Sequence, residues 1–263
     1  MYAFEYQRPK SVADAAAALA KSGGKALAGG QSLVGAMKLR LANPGTIVDL
    51  SGIGELKGIK KEGDAIVIGA LTTHAEVASS SVVKQAIPAL AAVAEGIGDR
   101  QVRNRGTIGG SIANNDPAAD YPAAVLGLGA TVQTNKRKIA ADDFFRGMYE
   151  TALAADEIIT TVSFPVPEKA AYAKFPQPAS RFALVGVFVA QTGGGVRVAV
   201  TGAASHVHRA SAIESALAKS FTPDAAKVVK VPADRLNNDI HASAEYRAHL
   251  VSVMASRAVA AAG

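Results

Sequence analysis

The chain has 263 residues, 49% of them hydrophobic and 19% charged, with a formal net charge of +6, 25 glycines and no cysteine. At roughly 150 residues per domain this allows one large domain or two modest ones, and the apolar content excludes a disordered, collagen-like or coiled-coil chain. Without cysteine there is no disulfide framework, no thiolate zinc site, no iron–sulfur cluster held by this chain and no cysteine nucleophile.

In chain order, Ser11 opens a predicted helix over Val12–Lys21, with Asp14 in its first turn and Gly23-Gly24 as its stop. Lys25–Ala28 reads as a short strand running into Gly29-Gly30, and Thr46–Leu50 and Ala65–Ala70 read as strands. Helix signals cover Thr73–Ser79 and Lys84–Glu95. Thr107–Ala113 is broken by glycines. Pro117–Leu128 is alanine-rich and helical in part, with Asp116 as the expected cap and Pro117 at the first helical position. Ala130–Thr134 and Glu157–Phe164 read as strands, the second closed by Pro165-Val166-Pro167, the best boundary in the chain. Beyond it, Phe182–Ala190 and Val196–Gly202 flank Gly193-Gly194-Gly195 as a hairpin, and helices are expected over Ala210–Lys219, Pro223–Val229 and from Ser243 to about Ala260. The reading is α+β.

The basic surplus is spread along the chain, and its one cluster, Lys136-Arg137-Lys138, reads as a hairpin tip without the interleaved aromatics of a nucleic-acid surface. The N-terminus lacks the basic-then-apolar pattern of a signal peptide, and no apolar run approaches the ~20 residues of a membrane span. A soluble, cytoplasmic chain is expected. His206 and His208 alternate along a would-be strand without a third metal ligand nearby, and His241, Glu245 and His249 read as a solvated helix face.

Two glycine pairs carry the chemical signal: Ala28-Gly29-Gly30-Gln31-Ser32-Leu33 and Thr107-Ile108-Gly109-Gly110-Ser111. Without Cβ atoms to hold a ligand away, successive main-chain N–H groups can converge on an anion, and the neighbouring hydroxyls add donors. Two such loops suit the two phosphates of one pyrophosphate, clasped from both sides by main-chain amides. Gly30 and Gly35 have P-loop spacing, but Ala36-Met37 stand where the lysine and hydroxyl belong. Neither GxGxxG nor GxSxG occurs.

These two segments, followed by Asn115-Asp116-Pro117-Ala118-Ala119-Asp120, resemble the FAD-binding medium subunit of molybdenum hydroxylases of the carbon monoxide and xanthine dehydrogenase group. Phe4–Pro9, Tyr172-Ala173-Lys174, Pro178–Gly186 and His241–Arg247 extend the resemblance nearly end to end. It implies an FAD-binding domain over residues 1–167, made of two α/β subdomains split near 55–65, then a C-terminal domain over 168–263 with a small antiparallel sheet and helices. It also implies that Ala28–Leu33 and Thr107–Ser111 hold the FAD pyrophosphate and its surroundings, that Asp120 and Lys174 are cofactor-binding, and that Ile97 and Ile159 make apolar contacts. No catalytic side chain and no metal ligand are implied in this chain. A large subunit would carry the molybdenum-pterin cofactor and a small one [2Fe–2S] clusters, together forming a dimer of heterotrimers. FAD here would pass electrons from the clusters to an external acceptor. Two other readings stay open: a free-standing FAD oxidase, weakened because neither loop offers a histidine for covalent flavin, and a non-redox nucleotide-binding module.

Overall fold

The structure, a computed structural model, describes residues Met1–Gly263. Residues 5–49 build a three-stranded parallel sheet from β1 (Glu5–Gln7), α1 (Val12–Ser22), β2 (Lys25–Leu27), α2 (Leu33–Lys38) and β3 (Thr46–Asp49), with β3 in the middle. Ser11 caps α1 by accepting the Asp14 N–H, and Gly23 ends it at φ +62, a left-handed turn that a Cβ would strain. Ala15 and Leu19 of α1 pack on Val48, Leu50 and Ile53 as a small core.

The next stretch runs through β4 (Ile59–Glu62), β5 (Ala65–Gly69), α3 (His74–Ser79), α4 (Ser81–Ala86), α5 (Pro88–Glu95), α6 (Arg100–Arg105), α7 (Ile108–Asn114) and α8 (Tyr121–Gly127). It continues with β6 (Thr131–Thr134), β7 (Lys138–Ala140), α9 (Ala141–Phe144), the small hairpin β8 (Phe145–Gly147) and β9 (Glu150–Thr151), and β10 (Ile159–Pro165). Its main sheet is antiparallel in the order β4-β5-β10-β6-β7.

Three local expectations change here. The single helix expected over Lys84–Glu95 is two, because Pro88 starts α5 after Ile87 leaves helical geometry, and proline has no N–H to continue the ladder. The glycine-broken stretch after Thr107 is the helix α7, capped by the Thr107 hydroxyl. The helix expected at Pro117 starts instead at Tyr121. Asp116 accepts the Ala118 N–H at 2.9 Å, so it holds a turn rather than capping a helix. The basic tip between β6 and β7 is paired locally, Lys136 with Asp156 at 2.6 Å and Arg137 with Glu157 at 2.9 and 3.0 Å.

The sheet changes at the prolines. β11 (Lys169–Pro176), β12 (Ala183–Thr192), β13 (Gly195–Thr201) and β14 (His208–Arg209) form a four-stranded antiparallel sheet in chain order, with Gly193-Gly194 turning the β12–β13 hairpin. α10 (Ser211–Lys219), α11 (Pro223–Lys227) and α12 (Ala244–Ala262) follow, and Ile213, Leu217, Leu250, Val251 and Met254 pack against Val185, Val187 and Val189. The intervening Phe188 and Ala190 point the other way, into the core of the five-stranded sheet, as the two-residue strand period requires. Buried Arg247 donates to the Leu184 and Gly202 carbonyls and to Asp239, which gives the His241–Arg247 motif a structural role. No helix is long and apolar enough to cross a membrane.

Candidate cofactor site

The first glycine segment leaves β2 and turns at Gly30, φ +77, into α2. The first bond of that turn is Val34 N–H to the Gly30 carbonyl, at 3.2 Å. The N–H groups of Gln31, Ser32 and Leu33 therefore precede the helical ladder, where a helix start leaves its donors unbonded. Ser32 makes no capping hydrogen bond with its side chain. These are the donors the sequence reading requires.

The second segment brings its backbone against the first. A Cβ on Gly29 would lie 2.0 Å from the Arg105 carbonyl oxygen and 2.8 Å from the Gly106 Cα, and one on Gly110 would lie 3.5 Å from the Ala28 Cβ. The two segments thus lie against one another. The second is held differently from the expectation, however. Ile108 N–H donates to the Thr72 carbonyl (3.1 Å), Gly109 to Ala70 (2.9 Å), Ser111 to Thr107 (3.0 Å), and Gly110 to the Thr107 hydroxyl (3.2 Å). A clasp by main-chain amides on both sides is therefore corrected. The amides of Ile108 and Gly109 tie the start of α7 to the segment that follows β5, and those of Gly110 and Ser111 bond within the Thr107 turn, leaving close glycine approach and the Thr107 and Ser111 hydroxyls as what this side offers a ligand. A Cβ on Gly109 would meet Ala70 at 2.6 Å, so that glycine serves the packing of α7.

Asp120 lies at the start of α8 with only 5% of its surface exposed. It accepts from the Tyr172 hydroxyl and, at 2.9 Å, from the Lys174 ammonium. Lys174 also donates to the Gly96 carbonyl at 3.0 Å. Burial lifts the Asp120 carboxyl above its usual range, against the pull of Lys174 and Tyr172, and burial keeps the Tyr172 phenol protonated and a donor. The C-terminal sheet sets this geometry. Lys174 pairs with Gly186 across the β11–β12 ladder, where a Cβ on Gly186 would sit 2.1 Å from the Tyr172 hydroxyl. Thr201 of β13 donates to the Pro117 or Ala119 carbonyl, at 3.0 and 2.7 Å, tethering the turn that precedes Asp120.

Ile97 follows the Gly96 carbonyl that takes Lys174, is half-buried, and is pinned through its own carbonyl by the Arg103 guanidinium at 3.0 Å. Ile159 is a core residue, 5% exposed. It reaches the site through its neighbour: the Thr160 carbonyl accepts Ala70 N–H, and the Ala70 carbonyl accepts Gly109 N–H. Sequence reasoning missed Tyr172 and Thr201 as site-building residues. The alternation Tyr172-Ala173-Lys174 carried the signal for the first, because positions i and i+2 of a strand share a face. It also missed His74, which packs its ring 5.2 Å from that of Tyr121 and its Nε2 against Gly106. Burial and nearby Arg103 hold that imidazole neutral, at about 4.

Unpartnered main-chain donors, glycine faces and hydroxyls on two adjacent segments suit a diphosphate without requiring side-chain charge. The buried carboxylate beside Lys174 offers a polar edge further along.

Residues 2–167 match the family described as the FAD binding domain in molybdopterin dehydrogenase. The chain is 37% identical to the nicotine 6-hydroxylase medium subunit of Paenarthrobacter nicotinovorans, covering 99% of this chain and 98% of the relative. It is 37% identical to the carbon monoxide dehydrogenase medium chain of Hydrogenophaga pseudoflava, covering 98% and 96%. Among solved structures, a carbon monoxide dehydrogenase from the same organism, lacking the Mo-pyranopterin moiety, superposes with a TM-score of 0.90 at 38% identity over 99% of this chain and 97% of that one. Quinoline 2-oxidoreductase from Pseudomonas putida 86 superposes at 0.89 and 29% identity, over 99% and 97%.

Proposed function

The chain belongs to the FAD-binding medium subunits of the molybdenum hydroxylases, and from that premise we propose that a groove between its two glycine segments seats FAD and that the bound flavin relays electrons from a partner to an external acceptor. The observation that carries this is the meeting of the two glycine segments, Gly29 on Arg105–Gly106 and Gly110 on Ala28. The residues present fit the cofactor. The amides of Gln31, Ser32 and Leu33, with the faces of Ala28, Gly29 and Gly30, would hold one side of its diphosphate. Thr107, Ser111 and the bare backbone of Gly110 would hold the other, while Ile108 and Gly109 keep α7 in place beneath. Asp120 and Lys174 would meet a polar edge of the cofactor, Ile97 would offer an apolar surface, and Ile159 would support the site from the core.

FAD supplies the redox chemistry when bound. The chain binds it, orients it and excludes water from the Asp120–Lys174 end. The oxidoreductase subunit needs partners in this reading: a small subunit whose [2Fe–2S] clusters deliver electrons, and a large subunit whose molybdenum-pterin cofactor oxidises the substrate. A dimer of heterotrimers, a heterohexamer in the cytoplasm, is the assembly proposed. The absence of cysteine supports the division of labour, since a cluster must then lie in another chain. Relatives are named for nicotine, carbon monoxide and glyceraldehyde. The substrate therefore follows from the large subunit and not from this groove.

Purified chain titrated with FAD tests the reading. Stoichiometric uptake, a yellow chain and full release of flavin by acid are expected, and co-purification should bring down the two other subunits. A colourless chain that takes up no added FAD refutes it.

A further inference from the structure

His74 stands beneath the second glycine segment, and its backbone is locked there. Its N–H donates to the Gly106 carbonyl at 3.0 Å, Thr73 pairs with Thr107 across an antiparallel bridge, and Thr73 and Glu76 close a capping box at the start of α3. The imidazole fills the space under Gly106, where a Cβ would lie 2.5 Å from Nε2. Tyr121 arrives from the other end of the site. It follows Asp120, opens α8 and is fully buried. Its ring centroid stands 5.2 Å from that of His74, at an interplanar angle of 52°. The Tyr121 hydroxyl and His74 Nδ1 are both buried, and no other group of the chain satisfies either.

These two atoms on adjacent rings are complementary. A phenol has one proton to donate, and an imidazole nitrogen without a proton can only accept. Leaving both unmet would cost desolvation free energy twice, which native interiors avoid by pairing such atoms with one another or across an enclosed water. Burial first, and Asp120 second, push the Tyr121 phenol up, so it keeps its proton. Burial and Arg103 push the His74 imidazole down, so it stays neutral. We propose that the Tyr121 hydroxyl donates to His74 Nδ1, directly or across one enclosed water, and that the two are positioning residues of the cofactor site. Through Gly106 the link holds the start of the Thr107–Ser111 segment, and through the Tyr121 backbone it holds Asp120, so it sets the span between the two ends. The positioning role rests on the FAD reading above, whereas the hydrogen bond does not.

Tyr121→Phe and His74→Leu in the full chain test both parts. Tyr121→Phe removes only the hydroxyl and keeps the ring. With the hydroxyl bonded, the substitution strands Nδ1 and lowers Tm; with the hydroxyl unmet, it raises Tm. A lower Tm is expected, and the double variant should lose less than the two single losses combined. Nitrogen-15 NMR should show His74 as one tautomer, protonated at Nε2, with a Nδ1 resonance that Tyr121→Phe shifts. Tyr121→Phe should also weaken FAD binding about tenfold, as when one hydrogen bond to the ligand is misaligned, and alter the visible circular dichroism of flavin bound at saturation. A raised Tm, additive single losses or an unmoved Nδ1 resonance overturns the hydrogen bond and the proposal with it. A lowered Tm with Kd for FAD within twofold and unchanged dichroism overturns the positioning role. A wild-type chain that takes up no FAD overturns the FAD reading and the positioning role together, while Tm and NMR still decide the hydrogen bond.

Discussion

Gly29 is where the groove is least tolerant. In Gly29→Ala the new methyl would start 2.0 Å from the Arg105 carbonyl oxygen and 2.7 Å from its carbon, both backbone atoms that no rotamer change can withdraw. Restoring an ordinary contact requires residues 28–33 to move by more than an ångström, and overpacking of this kind costs about 1–3 kcal/mol of stability. The same shift carries the amides of Gln31, Ser32 and Leu33 out of hydrogen-bond range of a diphosphate. Losing even one charge-assisted bond, at about 1.5–3 kcal/mol, weakens FAD binding by roughly 10- to 150-fold. The control is Gly35→Ala in α2, where nothing lies within 4 Å of the new methyl and helix propensity favours alanine by up to about 1 kcal/mol. Fluorescence titration of FAD and thermal unfolding should separate the two variants in opposite directions. A Gly29→Ala chain with wild-type Tm and a Kd for FAD within twofold would refute the two-segment groove.

Lys174→Met leaves Asp120 buried without its counter-charge. The loss of about 3–5 kcal/mol expected for a broken buried pair should be greatest at neutral pH and shrink toward the ordinary aspartate value of 3.8, because the folded state then favours the protonated carboxyl. Denaturant midpoints across pH check this. Two contributions to the wild-type acid limb are separable. His74, depressed to about 4 from 6.5, gives stability that is fully present above 6.5 and lost as pH falls toward 4. Glu157, held at about 2 chiefly by Arg137, gives stability present above 4.5 and lost as pH falls toward 2. His74→Phe should flatten only the first part and Glu157→Gln only the second, about 3 kcal/mol being the ceiling for either. Asn115 ends α7 at φ 45 and donates at 2.8 Å to both the Gly147 and Glu150 carbonyls. Asn115→Asp, which turns acceptor oxygens on those carbonyls, should cost more than Asn115→Gly and should speed hydrogen exchange at residues 145–151.

Local punctuation was the most legible part of the fold. Ser11, Gly23, Gly193-Gly194 and Ser243 act through their own neighbours, so α1, the β12–β13 hairpin and α12 could be placed within about three residues, as such signals allow. Three of the short edge strands were not legible. β1, β4 and β7 expose most of their residues, so they carry little apolar pattern and exist because a neighbouring strand pairs with them. The start at Thr107 was misleading for a related reason. Two glycines disfavour a helix by intrinsic propensity, yet Gly109 is admitted because only a residue without Cβ fits against Ala70. For the groove, the residue types announced an anion, but which amides stay free depends on Ala70 and Thr72, nearly forty residues away. No spacing rule could have supplied that.

The alternation along β12 has a practical corollary. Val185, Val187 and Val189 serve one interior, while Phe188 and Ala190 serve the other, with Phe188 seated directly over Gly127 of α8. The strand is a party wall, and neither room stands without it. A fragment cut at Pro167, although it spans the whole segment that matches the FAD-binding family, would bare the Gly127 side of α8 to water. It should aggregate rather than fold as a smaller flavoprotein, and supplying residues 168–263 as a separate chain should rescue it.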